Sequence, residues 1–386
     1  MDKARLHPAL LGMTALGALG VAAAWFVGGP QRFGANWVLW SVLLLAVALG
    51  SLFIVALEHI TRAHWSIVLR RVPERLAGLL PVTALCFAVG AAVGLGAGGL
   101  GWSTPEFRAA MAAEPHLHAK AVWYSAPFFL ARLTVIFAVW LVSWRLLAGG
   151  SLKQDETRDP RFSLFAKRFS APFIWLFAIT VTILGVDWLM GMSPRWFSTI
   201  FGVYTFTGVF LSGLAATVLG VLHLQKQGRL AEVRGDHLYS LGGFLFAFTV
   251  FWAYIAFSQF MLIWYANLPE ETFWFHHRLT GGWYAVTLLL AVTRFLVPFF
   301  ALLSREAKMD PRRLAWVAVL VLAGEALDLF WIIFPELGAL APGWQELAFA
   351  LFFIGLGLLL ARRRMSVGGD LPVGDPNLDA SLHYHL

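Results

Sequence analysis

Long runs of apolar residues, separated by short polar segments, make up almost the whole chain. Ten of these runs approach or reach the roughly 20 residues that a helix needs to cross a bilayer. Runs of this length exceed those of buried strands, and in lipid a helix pairs each backbone group inside its own segment. The pattern predicts an all-α integral membrane protein with ten transmembrane helices, called spans 1 to 10. The predicted spans are Leu10–Val27, Trp37–Leu57, Leu76–Ala97, Trp123–Leu147, Ala171–Met190, Thr199–Leu222, Leu241–Trp264, Trp283–Leu303, Leu314–Phe334 and Leu347–Ala361.

Lys and Arg residues fall mostly on one side of these spans. Side A, which holds the N-terminus, carries 22 of the 29 residues, side B carries five, and Arg132 and Arg294 lie within spans. Cytoplasmic loops are rich in Lys and Arg, so side A is predicted to be cytoplasmic, with both termini there. Residues 1–364 form the predicted membrane domain. Residues 365–386 are polar with Gly and Pro, which predicts a flexible cytoplasmic tail.

A weak internal repeat relates the two halves of the chain. Span 4 opens with Trp-Tyr at Trp123 and carries Arg132, and span 8 opens with Trp-Tyr at Trp283 and carries Arg294. The repeat predicts two parallel four-helix bundles, spans 2–5 and 6–9, with two flanking helices and pseudo-repeats at about 37–192 and 199–334. Chance similarity in a sequence rich in Trp and Leu is the alternative. In each half the next span carries acids near side B, namely Asp187, and Glu325 with Asp328.

Composition narrows the functional classes. Hydrophobic residues make up 59% of the chain and charged residues 13%, and the mean hydropathy is +0.72. A soluble protein of this size needs more polar surface, so a soluble enzyme, a disordered chain and a disulfide scaffold are excluded. The basic residues sit in short loops between spans, which indicates the lipid bilayer rather than nucleic acid as their partner. The single cysteine, Cys86, provides for no disulfide and no Cys-ligated cluster, and we predict no metal site.

Charged residues within the spans are the first candidates for function, because an unpaired charge in a membrane is costly. Arg132 and Asp187 both fall in the side-B half and can pair. Arg294 can meet Glu325 or Asp328, which lie three residues apart on one face of span 9. One interpretation is ion pairs that lock the helices, and the other is a proton relay. Two acids on one face exceed what one arginine needs, so Glu325 and Asp328 are predicted to share a proton.

Four further residues are candidates for the same relay. Tyr254 and Ser258 stand one helical turn apart in span 7 and can carry a water chain, although such hydroxyls more often bond across a helix contact. His223 and Glu58 lie near the side-A ends of their spans, where protons would arrive. We expect outward access past Asp187 or Tyr254.

The side-B loops carry aromatic residues, acids and histidines, a composition that suits contact with another protein. The adjacent histidines could also bind a surface metal, but such pairs more often make polar contacts. The predicted partner-interface residues are Trp196, Phe197, Glu270, Glu271, Trp274, His276 and His277.

Two side-B motifs carry a resemblance to a known family. The segments read SPRWFSTIFGVY from Ser193 and WYANLPEET from Trp264. They resemble motifs of the ActF subunits of bacterial alternative complex III, within the NrfD/PsrC-like membrane family, and the resemblance covers all ten spans. It implies two four-helix bundles with two flanking helices in the bacterial cytoplasmic (inner) membrane.

The same resemblance implies a function in electron transport. The resemblance implies a cofactor-free membrane subunit of a quinol:electron-acceptor (cytochrome c) oxidoreductase. Such a subunit would carry no redox chemistry and no catalytic residue of its own. Its role would be structural, with proton translocation as a further role. The implied partners are a paralogous ActC-like membrane subunit, an iron–sulfur subunit, multihaem cytochrome c subunits and single-span subunits. Haem c and iron–sulfur clusters would lie in those partners.

Two alternatives stay open. The chain could bind and oxidise quinol itself, with menaquinone or another quinone as its ligand, although no ring-binding set of residues stands out. It could instead be a free-standing secondary transporter, since parallel repeats and charges near the midplane also fit that class. Co-purification with haem and iron–sulfur subunits distinguishes a subunit of a complex from a transporter.

Overall fold

The computed structural model of the protein describes residues 7–338, 340–366 and 368–386. Within these ranges the regular structure is helical, with no strand. Among the described residues, ten helices are long and apolar enough to cross a membrane, which confirms the predicted number of spans. Their bounds are Pro8–Val27, Gly29–Thr61, Arg71–Ser103, Ala126–Thr157, Arg161–Met192, Phe201–Lys226, Gly235–Ala266, Gly281–Ala301, Pro311–Leu337 and Trp344–Met365.

The ends of the spans follow local chemistry. Proline occupies one of the first two positions of several helices, where its missing N–H costs nothing. Span 9 begins behind Asp310, whose side chain accepts a hydrogen bond from the Arg312 N–H. Span 2 ends at Arg62 and span 7 at Asn267, both in the left-handed conformation. These signals stop the helices on the two sides of the membrane.

Two spans contain a π-helical turn. One covers Gly185–Leu189 in span 5 and includes Asp187, and the other covers Val292–Leu296 in span 8 and includes Arg294. Single π turns within α-helices occur frequently at functional sites, because they shift the side chains that follow. Each π turn therefore includes a charged residue that the sequence indicates as a candidate for function.

Spans 2 and 6 lie at the centre of the molecule, where they contact each other. A Cβ on Gly50 would overlap the carbonyl oxygen of Val209, and one on Gly213 would overlap the backbone of Gly50. Glycine at both positions lets the two backbones approach closely, as small residues do between membrane helices. Span 1 packs along span 10 at the edge of the molecule.

The other spans surround this central pair. Spans 2 to 5 contact one another in chain order and span 5 also contacts span 2, while spans 6 to 9 contact one another in the same way, with span 9 touching span 6. Large apolar side chains on the outer spans are exposed, which suits contact with lipid. Examples are Phe26, Trp175, Phe257 and Phe300.

The C-terminal segment differs from the expected flexible tail. Residues 368–386, called the tail, lie against the side-A ends of the spans. Arg70 Nη1 donates to Asp375 Oδ2 at 2.6 Å, and Arg75 Nη1 donates to Asp370 Oδ1 at 3.0 Å. The short helix Leu378–Leu382 packs on the segment between spans 2 and 3, where Ser381 is fully buried. Two carboxylates that meet buried or partly buried arginines hold the tail in place.

Candidate functional site

The strongest candidate is a buried cluster of charges between spans 6, 7, 8 and 9, called the acid-pair cluster. Glu325 and Asp328 lie three residues apart on span 9 and are 5% and 2% exposed. Arg294, on the π turn of span 8, faces them and is 1% exposed. The structure thus brings together the three residues that the sequence predicted to meet.

One guanidinium serves both carboxylates. Arg294 Nη2 contacts Glu325 Oε2, and Nη1 lies 3.2 Å from Asp328 Oδ2. Neither contact has the alignment of a hydrogen bond, so the attraction is one of charge. The guanidinium also lies 4.7 Å from the ring centre of Trp252, which adds a cation–π contact.

Asp328 accepts two hydrogen bonds that Glu325 lacks. The Tyr204 hydroxyl donates to Oδ1 at 2.5 Å, and the Trp252 indole donates to Oδ2 at 3.2 Å. Glu325 instead lies against Gly208, where a Cβ would come within 2.5 Å of its Oε1. The two acids therefore differ in surroundings although they share one arginine.

A second ion pair, between spans 4 and 5, is fully bonded. Arg132 donates from Nε and Nη2 to the two oxygens of Asp187 at 3.1 and 3.0 Å. The Trp123 indole donates to Asp187 at 2.7 Å, and Arg132 Nη1 donates to the Trp123 carbonyl at 2.8 Å. One cation meets one acid with every contact aligned, which is the arrangement of a structural ion pair.

The two clusters therefore differ in charge. The Arg132–Asp187 pair is neutral when both groups are ionised, whereas the acid-pair cluster has one carboxylate more than its arginine can neutralise. Two carboxylates in one buried site favour the retention of a proton on one of them. The acid-pair cluster therefore has one acid in excess of its counter-charge, and the Arg132–Asp187 pair has none.

The remaining relay candidates lie away from this cluster. Tyr254 is 64% exposed on the outer face of span 7, and Ser258 is half-buried on the same helix. His223 is exposed at the side-A end of span 6, where it bonds to Gln227 at 2.9 Å. Glu58 is buried and pairs with Arg70, whose other partner is Asp375 of the tail. The sequence predicts that protons have outward access past Tyr254, but this side chain lies on the outer face of span 7.

The predicted partner-interface residues divide into buried and exposed ones. Trp196 and Trp274 are each 1% exposed and stack on each other with ring centres 4.2 Å apart. Their rings pair within the chain, so neither ring forms part of its exposed side-B surface. Glu271 is half-buried, and four residues stay exposed, namely Phe197, Glu270, His276 and His277.

Arg278 is a functional candidate that sequence reasoning missed. It ends the helix Pro269–Arg278, is fully buried, and lies 3.4 Å from the ring centre of Trp274. It donates from Nε to the Trp331 carbonyl at 3.0 Å and from Nη2 to the Ile332 carbonyl at 2.6 Å. Burial lowers the pKa of Arg278 to about 9, against the effect of nearby Glu336, so it stays charged at neutral pH. It caps the side-B end of span 9, where helix carbonyls lack partners.

Two cavities open on side B. The smaller holds about 300 Å³ and is lined by Glu106, Ser193, Arg195 and Glu336 among others. The larger holds about 550 Å³ between Arg32, Trp283, Phe330 and Phe334. In the described residues no group of three or more His, Cys, Asp or Glu side chains is placed to hold a metal ion.

The sequence alone also does not indicate Tyr204 and Trp252 as site residues. Both belong to apolar stretches in which an aromatic residue looks like core, and only the fold shows that their polar atoms reach Asp328. The Arg–acid pairs were found because charge within an apolar span is a rare and costly feature.

Comparison with protein-family models and with curated proteins finds no match for this sequence.

Proposed function

We propose that this chain conducts protons across the membrane through the acid-pair cluster. The observation that carries the proposal is one buried guanidinium shared by two buried carboxylates, with Tyr204 bonded to the second. Ionisable groups at such depth are expensive unless they serve a purpose, and a surplus acid is not needed for packing. Proton relays in membrane proteins use acids of this kind.

The cluster suggests how a proton would move. One of Glu325 and Asp328 holds the proton while Arg294 neutralises the other. When the guanidinium, which contacts both acids, moves closer to the neutral acid, that acid loses its proton and the first acid takes up a new one. The Tyr204 hydroxyl, 2.5 Å from Asp328, supplies a hydrogen-bonding group on the side-B half of the route. No electron transfer is required in this chain.

We further propose that spans 2–5 and spans 6–9 form two parallel four-helix bundles flanked by spans 1 and 10. The closed order of contacts within each set supports this arrangement. The similar positions of Arg132 with Asp187 and of Arg294 with Asp328 support a common origin of the two sets. The bundles would meet along spans 2 and 6.

From the resemblance to ActF subunits we also propose that this proton path belongs to a quinol:electron-acceptor oxidoreductase of the bacterial cytoplasmic membrane. There the chain would serve as a membrane subunit without its own redox centre. Exposed Phe197, Glu270 and His277 offer a side-B surface for peripheral subunits. Side A, rich in Lys and Arg, would face the cytoplasm.

Proton movement is tested with the full chain in vesicles that contain a pH-sensitive dye and carry an imposed membrane potential. Substitution of both Glu325→Gln and Asp328→Asn preserves shape but removes titration, so we expect proton flux to fall at least about tenfold. Glu156→Gln, an exposed acid on side A, is the matched control and should leave the flux unchanged. Equal flux in the double variant and the natural chain would contradict the proposal.

Membership in a complex is tested by mild purification of the chain from its native membrane. We expect haem c and iron–sulfur absorption to follow the chain, and the single substitution Phe197→Ser to weaken retention of the haem subunit while the ten spans stay folded. A chain that purifies alone, folded and free of haem, would favour a free-standing transporter. Quinone retained by the isolated chain would favour the quinol-binding alternative.

A further inference from the structure

The 300 Å³ cavity on side B lies beside the end of span 9. Its walls include Ile333 and Glu336 from the end of that span and Ser193 from the loop between spans 5 and 6. Exposed Glu106 and Arg195 line its outer part, so the cavity opens toward side B. It therefore joins the surface to the same helix that carries Glu325 and Asp328.

Two buried polar atoms on this cavity have no hydrogen-bond partner in the protein. They are Ser193 Oγ, from a residue that is 3% exposed, and Glu336 Oε1. Buried polar groups are almost always satisfied by protein or by ordered water. A water takes about 30 Å³ in the liquid, so a cavity of about 300 Å³ has room for several. The two unpaired lining atoms therefore indicate water in this cavity.

Arg278 lies beside this cavity, next to Glu336 in its wall. Its Nη1 lies 3.5 Å from Glu336 Oε1, while Nε and Nη2 hold the carbonyls of Trp331 and Ile332. Those carbonyls stand about one helical turn outward of Asp328. The positive charge of Arg278 thus lies next to Glu336, where it repels other cations that enter the cavity.

The other outward routes expected from the sequence are less suited to release. Asp187 has both oxygens bonded to Arg132 and Trp123, and Tyr254 points outward from span 7. The end of span 9 is the place where a carboxylate, a cavity and an opening to side B coincide.

We propose that the cavity is the side-B release site of the proton path, with Glu336 as the last protein group to hold the proton and Arg278 as its positioning residue. The inference rests on the proposed function. In the release step the O–H bond of the Asp328 carboxyl breaks, water carries the proton, and an O–H bond forms on Glu336. Glu336 then loses the proton to water on side B, and the acid pair takes up another from side A.

The first test measures whether the cavity is wet. Ser193→Cys is made in a Cys86→Ser background and treated with a membrane-impermeant thiol reagent. We expect labelling in vesicles that expose side B and none in vesicles that expose side A. Ser170→Cys, at a fully buried position that bonds within span 5, is the control that should stay unlabelled. A folded Ser193→Cys variant that resists labelling from side B would overturn the release site.

The second test measures flux with the vesicle assay described above. Glu336→Gln should lower the flux about tenfold. Glu156→Gln removes an exposed acid on side A, outside the cavity, and should have no effect. Unchanged flux in Glu336→Gln, when the Glu325→Gln and Asp328→Asn double variant does lower it, overturns this inference alone. Unchanged flux in that double variant overturns the proposed function, whatever the labelling shows.

Discussion

Arg132 and Arg294 occupy similar places in the two halves of the chain, yet their surroundings differ. Arg132 makes aligned bonds to both oxygens of one acid, while Arg294 stands between two acids without aligned bonds. A fully bonded pair has one stable arrangement. A cation in contact with two acids can neutralise either of them, a choice that the Arg132–Asp187 pair does not offer.

This difference predicts different outcomes for similar substitutions. Asp187→Asn leaves the Arg132 charge buried without a counter-charge, so we expect a loss of roughly 3 kcal/mol in stability, seen as a lower midpoint of thermal unfolding in detergent. The double substitution Arg132→Met with Asp187→Leu removes both charges and should recover most of that loss. An Asp187→Asn variant as stable as the natural chain would show that the pair is not structural.

Several features of the site were predictable from residue types alone. Charge in an apolar span is costly, which identified Arg132, Asp187, Arg294 and the two acids of span 9 and predicted how they pair. The burial of Trp196 and Trp274 was not predictable, because a tryptophan in a side-B loop suits the membrane interface, a partner or a stack within the chain equally well. The burial of Arg278 is not predictable either, because its partners are carbonyls, which every sequence contains.

At the scale of elements, the number of spans followed from hydropathy and length, since about 20 apolar residues have few other uses. The π turns and the folded tail could not be predicted from hydropathy and length. A π turn depends on tertiary packing around one residue. The tail carries few apolar residues, so its sequence does not indicate that it docks onto the spans. Its attachment comes from Asp370 and Asp375 finding arginines far away in the sequence.

The attachment of the tail should depend on pH. Burial would raise the pKa of Asp375, but the charge of Arg70 and hydrogen bonds from the Asn377 N–H and Arg70 hold it below its usual value. Burial likewise opposes the arginines at Asp370, whose pKa is also lowered. Because the folded-state values are the lower ones, this stabilisation is complete above the unfolded value of about 4 and is lost as pH falls through the folded values.

A spin label on Leu386→Cys reports this change. We expect the label to be restrained at pH 7 and to become mobile below about pH 4. The variant Asp370→Asn with Asp375→Asn should be mobile already at pH 7, which serves as the control for detachment. Equal mobility at both pH values in the otherwise natural chain would mean that the ion pairs do not hold the tail.

At the scale of the whole molecule, the two ends of the protein are closed in different ways. On side A the tail lies across the ends of spans 2, 3 and 4 and the loop between spans 6 and 7, through Arg70, Arg75, Gln154 and Arg229. On side B the stacked Trp196 and Trp274 join the loop after span 5 to the helix before span 8. Contacts at both ends thus link the two sets of spans.

The glycine contact between spans 2 and 6 limits the kind of motion that transport can use. A carrier of the rocking-bundle type exchanges inward-open and outward-open states by swinging one half of the molecule about the other. Here the pivot would be a backbone-to-backbone contact with no side chains to slide, at Gly50 and Gly213. The proposed proton route does not require such a swing, because its cargo is small enough to pass while the two halves keep their positions. A proton, handed between groups by the turn of a single side chain, meets that condition.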